Sequence, residues 1–333
     1  MLKFLRRLIL LALTGFLLAG GLVYWLATSA ITLKNSPLEF HIAAGSSLRS
    51  AAQQVKDAGV EVSPLLLVTL GRLAGVDAKI KAGSYEISAG ITPNDLLNKL
   101  TRGDVTQVEI ALIEGWNLRQ VREKLDAHPN LRHDSHGMSE AELLKHLGAT
   151  EPSAEGLFFP DTYLFAKNTS DLHVLERAYR AMQRHLDKEW QNKAAGLPYR
   201  TPYEALIMAS IIEKETGRES DRTMVASVFV NRLRIGMMLQ TDPTVIYGLG
   251  AGFDGNLRKR DLQADTPYNT YTRAGLPPGP IAMPGLSSLR AALNPAQSDA
   301  LYFVARGDGT SQFSRTLEAH NQAVAKYQRG GKR

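Results

Sequence analysis

The stretch at residues 203–216 reads Y-E-A-L-I-M-A-S-I-I-E-K-E-T, and it indicates how the chain folds around it. Thr201 and Pro202 precede it, as a helix N-cap and a proline at the first helical position. At about 3.6 residues per turn, its apolar side chains fall on nearly every side of the helical wheel, which is typical of a fully buried helix. We therefore predict a core helix that stops at Gly217, within a mixed α+β domain.

Two acids end this helix, Glu213 and Glu215. A carboxyl on a buried helix face loses hydration, which favours its protonated form and suits a general acid. The alternative is a solvated glutamate at a helix end, for example one paired with Arg218. The two acids lie about 160° apart on the wheel, so they cannot flank one bond as the carboxyl pair of a hydrolase. Periodicity alone does not separate their roles.

A polar cluster follows at Gln240, Thr241 and Asp242, directly before Pro243. Short polar side chains beside a proline on a rigid element suit hydrogen bonding to a ligand. They equally suit a capped turn, in which Asp242 caps the segment that starts at Pro243. The pattern leaves both interpretations open.

A polar and aromatic cluster lies further on, at residues 266–271 (T-P-Y-N-T-Y), before a proline-rich run at 275–281. Tyr268 and Tyr271 have rings that could stack on sugars, and Asn269 offers donors and acceptors. The alternative is a proline-stiffened loop with packed tyrosines. A ligand groove is favoured only if this loop faces the helix that carries Glu213.

The N-terminal segment is long and apolar, with no charged residue from Leu8 to Leu33. About 20 residues of helix span the hydrocarbon core of a bilayer, so we predict a transmembrane anchor. Lys3, Arg6 and Arg7 precede it, which places the N-terminus in the cytoplasm. A cleaved signal peptide is the alternative, but its apolar region is shorter.

Composition excludes several classes of function. The 333 residues contain no cysteine, which rules out disulfides, thiol nucleophiles and cysteine-ligated metals. Lys and Arg number 39 against 33 Asp and Glu, and this mild excess does not single out a nucleic-acid partner. His133 and His136 lie in a polar loop with no third ligand implied, so we predict no metal site there.

Residues 38–110 have the pattern of a small α+β unit. Alternating apolar residues at 38–42 predict a strand, and Ser46 and Ser47 can cap the helix that follows. A helix at 63–73, a strand at 81–88 and a helix capped by Thr92 complete the pattern.

Several blocks of the chain closely resemble the MltG or YceG-like family of endolytic murein transglycosylases. They are A-S-I-I-E-K-E-T at 209–216, V-A-S-V-F-V-N-R-L-R-I-G-M at 225–237, L-Q-T-D-P-T-V-I-Y-G at 239–248, and Y-N-T-Y with G-L-P-P-G-P-I at 268–281. The run E-G-L-F-F-P-D-T-Y at 155–163 resembles a further family signature. The blocks occur in the family's order and cover nearly the whole chain.

The resemblance implies a bacterial inner-membrane enzyme with its catalytic domain in the periplasm. Residues 1–33 would be a cytoplasmic tip and transmembrane anchor, 34–110 a LysM-like glycan-binding domain, and 111–328 the catalytic domain. The family's catalytic acid maps to Glu213, the first Glu of the E-K-E motif. The substrate would be nascent peptidoglycan glycan strands, cut between N-acetylmuramic acid and N-acetylglucosamine, with cell-wall synthases as possible partners.

In the implied mechanism one carboxyl first protonates the leaving oxygen and then accepts a proton from the C6 hydroxyl, which closes to a 1,6-anhydro end. No metal or organic cofactor is needed. Gln240, Thr241, Asp242, Asn269 and Tyr271 are the candidates for holding the sugars.

Two rival functions remain from the sequence. One is a hydrolytic muramidase with Asp242 or Asp265 as a second carboxylate. The other is a membrane-tethered scaffold that binds the cell wall without cleaving it, in which the buried glutamate is only structural.

Overall fold

The computed structural model describes residues 2–329, and these divide into two compact units. One comprises the described residues up to Glu109 together with Leu164–Thr169, and the other comprises Ile110–Tyr163 and the described residues from Ser170 onward. Both units combine helices and short strands, so the predicted mixed α+β class is confirmed.

The first unit begins with α1 (Leu2–Thr28), a long helix without an acidic residue. Within Phe4–Thr28, the most apolar stretch of 18 residues has a mean hydropathy of 2.1 and is not buried against other parts of the protein. Among the described residues it is the one helix long and apolar enough to cross a membrane. It is compatible with the predicted single-pass anchor.

The rest of this unit forms paired strands covered by short helices. Its elements are β1 (Thr32–Leu33), β2 (Leu38–Ile42), α2 (Leu48–Asp57), β3 (Val60–Glu61), α3 (Pro64–Leu73), β4 (Gly83–Ile87) and α4 (Pro93–Arg102). Strand β2 pairs antiparallel with β4, and Phe40 lies opposite Tyr85. Both rings are buried and stack with centroids 5.6 Å apart, because residues directly opposite each other on paired strands point to the same face of the sheet.

Local capping explains where these helices begin. The Ser47 side chain accepts a hydrogen bond from the Ser50 N–H at the start of α2. Thr92 and Asp95 form a reciprocal capping box at the start of α4, which ends at Gly103 with a left-handed backbone. The predicted starts of both helices are confirmed.

The remaining elements belong mainly to the second unit, and three of their strands, β5, β7 and β8, contain residues of both units. The elements up to the core helix are β5 (Gln107–Ala111), α5 (Leu118–Asp126), β6 (Leu131–Arg132), α6 (Glu140–Leu147), β7 (Thr162–Ala166), β8 (Thr169–Ser170), α7 (Asp171–Gln191) and α8 (Pro202–Glu215). Those after it are α9 (Glu219–Arg234), α10 (Asp242–Leu249), α11 (Lys259–Gln263), α12 (Leu286–Leu293), β9 (Tyr302–Ala305), β10 (Ser311–Ser314) and α13 (Leu317–Val324).

Helix α8 lies at the centre of the second unit, packed against α7, α9, α10 and α12. Every residue from Ala205 to Ile212 is buried, as the all-round apolar pattern predicted. The one hydroxyl in this run, on Ser210, donates to the Ile207 carbonyl and accepts from the Ile281 N–H. The polar group is therefore satisfied inside the core.

Candidate active site

The end of α8 sets the positions of the two candidate acids. Its start is held by Thr201, whose side chain accepts a hydrogen bond from the Glu204 N–H, and by Pro202 in the first turn. Since the helix runs without a break to Glu215, the two acids leave it in nearly opposite directions. The structure places them in different surroundings.

Glu213 is held inside the second unit by a backbone donor and near a cation. Its side chain is only 7% exposed. Oε2 accepts a hydrogen bond of 2.9 Å from the Gly285 N–H, and Oε1 lies 4.0 Å from Nη2 of buried Arg222. The carboxyl is therefore oriented by contacts from α9 and from the residue that caps α12.

A second carboxyl, which no sequence motif marks as a site residue, adjoins this site. Glu114 lies in the loop between β5 and α5, and its Oε1 would be 1.8 Å from a Cβ added at Gly285. Burial raises the pKa of the Glu114 carboxyl and the charge of Glu213 raises it further, whereas Arg222 lowers it. The only signal in the sequence is an acid followed by glycine, directly after a strand.

Glu215 faces a different cavity. Its Oε1 accepts a hydrogen bond from the Thr241 hydroxyl. Burial raises the pKa of Glu215 and the Asp242 charge adds to this, while the Thr241 hydrogen bond and Arg232 lower it. The cavity beside it has a volume of about 660 Å³.

Three of the predicted sugar-binding residues line this same cavity, namely Gln240, Asp242 and Tyr271. The Tyr271 hydroxyl donates to Asp242 Oδ1 at 2.5 Å. Asp242 is the first residue of α10, and the preceding Thr241 is its N-cap, so the suggested capping role of Asp242 is wrong. The structure thus brings these residues together around Glu215.

The other two predicted binding residues are buried. Asn269 has no exposed surface, and its side-chain amide donates to the carbonyls of Asp261, Leu262 and Ala264. Thr241 is 1% exposed. Their observed contacts hold the polypeptide around the cavity, because atoms without exposed surface cannot touch a ligand from solvent.

A larger cavity, of about 1070 Å³, is lined by residues that neighbour Glu213. Gly115 and Lys214 line it, and a Cβ added at Gly115 would lie 3.9 Å from Glu213 Cγ. Glu155 also lines it and accepts hydrogen bonds from the Leu118 N–H and from the Tyr247 hydroxyl. Burial raises the pKa of Glu155 to about 7, against the opposing effect of these hydrogen bonds.

One side-chain cluster could hold a cation. Asp126, His133 and Asp171 each bring a ligand atom within 4.8 Å of the others. Asp171 is buried and already accepts hydrogen bonds from the N–H and the hydroxyl of Ser135. The sequence alone predicts no metal site around His133, whereas the structure brings two carboxylates close to that histidine.

Comparison with known proteins identifies the family of this chain. The model of the YceG-like family matches residues 40–326. A Bacillus subtilis protein named endolytic murein transglycosylase is 33% identical over 318 residues, covering 87% of this chain and 84% of that protein. A Streptococcus pneumoniae protein of the same name is 29% identical, covering 82% of this chain and 56% of that protein.

A solved structure agrees with these matches. The crystal structure of a yceG-like protein from Listeria monocytogenes has a TM-score of 0.54 and 32% sequence identity, covering 85% of this chain and 97% of that chain. The resemblance noted in the sequence is therefore confirmed over most of its length. The chain belongs to the YceG-like family and is an enzyme of the lytic transglycosylase class.

Proposed function

We propose that this enzyme cleaves the glycan strands of peptidoglycan internally, at the bond between N-acetylmuramic acid and N-acetylglucosamine. The observation that carries the proposal is the Glu213 carboxyl, shielded from water at the end of α8 and next to Gly115 and Lys214, which line an open cavity. The relatives' printed names, which specify murein, support the same substrate.

Glu213 performs both proton transfers in the proposed reaction. Protonated Glu213 gives its proton to the leaving glycosidic oxygen as the bond to C1 breaks. The ionised carboxylate, held by the Gly285 N–H and near Arg222, then accepts the proton of the C6 hydroxyl, and that oxygen bonds to C1. The product is a 1,6-anhydro end, and Glu213 regains its proton for the next cycle.

The cavity beside Glu215 is the proposed place for further sugars. Gln240, Asp242 and Tyr271 present exposed or half-exposed polar atoms to it. We assign them the hydrogen bonds to the strand. Thr241 and Asn269 contribute by holding the loop in place, through the contacts described above.

The proposed location is the bacterial inner membrane. Helix α1 would cross it once, with Arg6 and Arg7 on the cytoplasmic side and the rest of the chain in the periplasm. Residues 34–110 would form a LysM-like glycan-binding domain and 111–328 the catalytic domain. Cell-wall synthases are the proposed protein partners, since the substrate is the strand that they make.

Product mass tests this function directly. The purified full-length chain in detergent is incubated with isolated glycan strands, and the fragments are analysed by mass spectrometry. Transglycosylation gives an anhydro end that is one water lighter than the reducing end left by hydrolysis. Soluble fragments with anhydro ends support the proposal.

Two other outcomes would reject it. Reducing ends alone would establish a hydrolytic muramidase, for which Glu114 would be a candidate second carboxyl. Retention of the protein on peptidoglycan without release of fragments would establish the wall-binding scaffold.

A further inference from the structure

We propose that Glu114 is a positioning residue of the active site, whose carboxyl occupies the space beside Gly285 and acts through its charge on the Glu213 carboxyl. The inference rests on the proposed function, because it concerns the proton that Glu213 delivers. The contacts around Gly285 support it.

The loop that carries Glu114 is tied to the segment that carries Gly285. The Gly115 N–H donates to the Met283 carbonyl at 2.9 Å, and the Met283 N–H donates to the Trp116 carbonyl at 2.7 Å. These two backbone hydrogen bonds hold Gly115 and Trp116 against Met283, so the loop that carries Glu114 has little freedom to move. Glu114 is therefore held in place by its backbone, whereas a surface glutamate on a free loop would not be.

Gly285 is the residue that both carboxyls share. Its N–H donates to Glu213 Oε2, and its missing side chain leaves the space that the Glu114 carboxyl fills, since an added Cβ would lie 2.3 Å from Glu114 Cδ. Any larger residue would displace Glu114. A glycine at this position thus permits the close approach of the second carboxyl.

The charges around the pair are unequal. Glu213 faces Glu114 from the loop before α5 and Arg222 from α9, while the segment before α12 contributes only a backbone N–H. Lys214, beside Glu213 on α8, directs its Nζ to the Gly115 carbonyl at 3.1 Å. Ionising both carboxyls would therefore put two negative charges next to one buried cation.

Two like charges placed close together repel, so the ionisation of one carboxyl opposes the ionisation of its neighbour. The raised pKa of Glu114, caused first by burial and then by the charge of Glu213, agrees with this coupling. In the proposed reaction Glu213 delivers its proton to the glycosidic oxygen, and a charged Glu114 would oppose the loss of that proton to solvent. Glu114 acts on the acid and need not touch the sugar.

The test is the pH dependence of kcat on isolated glycan strands, for the full-length chain in detergent and for Glu114→Gln. Removing the neighbouring charge should move the alkaline limb to lower pH by about one unit. The resulting loss of kcat at neutral pH should be about tenfold, with a small change in KM. Glu114→Asp, which keeps the charge, should retain the limb of the unchanged chain.

Glu318→Gln, an exposed glutamate on α13, is the matched control and should have no effect. Melting temperatures of all variants establish that they are folded. If the Glu114→Gln profile superimposes on that of the unchanged chain, or kcat falls by one factor at every pH, the pairing is refuted.

Glu213→Gln separates this inference from the proposed function. An unchanged chain that releases no fragments, or a fully active Glu213→Gln variant, would refute the proposed function itself. A Glu114→Gln variant as inactive as Glu213→Gln at every pH would make Glu114 the acid and overturn its role as a positioning residue.

Discussion

Glu213 and Gly285 are joined by a hydrogen bond of 2.9 Å between the carboxylate and the backbone N–H, although they are 72 positions apart in the chain. The bond links the end of the core helix α8 to the residue that precedes α12. It turns a glutamate at a helix end into a carboxyl with a defined orientation, which is what an acid–base catalyst requires.

Glu213→Gln should lower the rate on isolated glycan strands by about 10²–10⁴-fold and leave the melting temperature nearly unchanged. Glutamine has almost the same shape and still accepts the Gly285 hydrogen bond, but it cannot donate and recover the proton. Glu215→Gln is the matched control, since it ends the same helix and faces another cavity. We expect it to reduce the rate by about tenfold or less. The opposite ranking would move the acid role to Glu215.

Gly285→Ala should reduce kcat while the protein stays folded. The new Cβ would overlap the Glu114 carboxyl, and that flexible side chain can rotate away at a cost of about 1–3 kcal/mol. The carboxyl pair would then be disrupted, and we expect a fall in kcat of about tenfold or more. Gly217→Ala, where an added Cβ meets nothing within 4 Å, provides the control. Equal activity of the two variants would contradict the role given to Gly285.

Glu155→Gln should change the pH dependence of stability. Burial raises the pKa of Glu155 in the folded chain to about 7, so folding favours its protonated form. Its contribution is therefore fully present at low pH and is lost as the pH rises through about 7, amounting to at most about 3 kcal/mol.

Glutamine stays neutral, so the decrease in melting temperature between about pH 5 and about pH 8 should be smaller in this variant. Glu123→Gln, at an exposed position on α5, should keep the decrease of the unchanged chain. Identical pH profiles for all three proteins would show that Glu155 is not buried in its neutral form.

Asn269→Ala and Tyr271→Phe should have different effects. Asn269→Ala leaves three backbone carbonyls without their donor, and we expect a loss of about 1–3 kcal/mol in the free energy of unfolding. Tyr271→Phe removes the hydrogen bond to Asp242 in an open cavity, so it should raise KM several-fold with little change in stability. Denaturation and steady-state kinetics on the same samples check both. A stable Asn269→Ala variant with an increased KM would give Asn269 a direct contact with substrate.

Much of the secondary structure could be predicted because its signals are local. Thr201 and Pro202 mark the start of α8, and Thr92 with Asp95 marks that of α4. The capping of α10 could not be assigned in this way, since Thr241 and Asp242 are both acceptable caps. In the structure Thr241 occupies the N-cap position, but neither side chain caps the helix: the Thr241 hydroxyl donates to Glu215, and Asp242 accepts from Tyr271.

The site was only partly predictable for the same reason. The sequence singles out Glu213 through its motif, and it groups Gln240, Asp242 and Tyr271 as polar residues near prolines. It does not show that this group surrounds Glu215, because the two acids are two residues apart in the chain and diverge only on the helix. Glu114 was missed because nothing local marks its approach to Gly285.

The sequence by itself determined the membrane-compatible helix, the buried core helix and the family, since these depend on apolar periodicity, helix caps and ordered motifs. Only the tertiary structure decided which carboxyl lies beside Glu213, and that Glu215 faces the cavity lined by Gln240, Asp242 and Tyr271. Those relationships join residues far apart in the chain, and their geometry depends on how α8, α9 and the loops before α5 and α12 pack together.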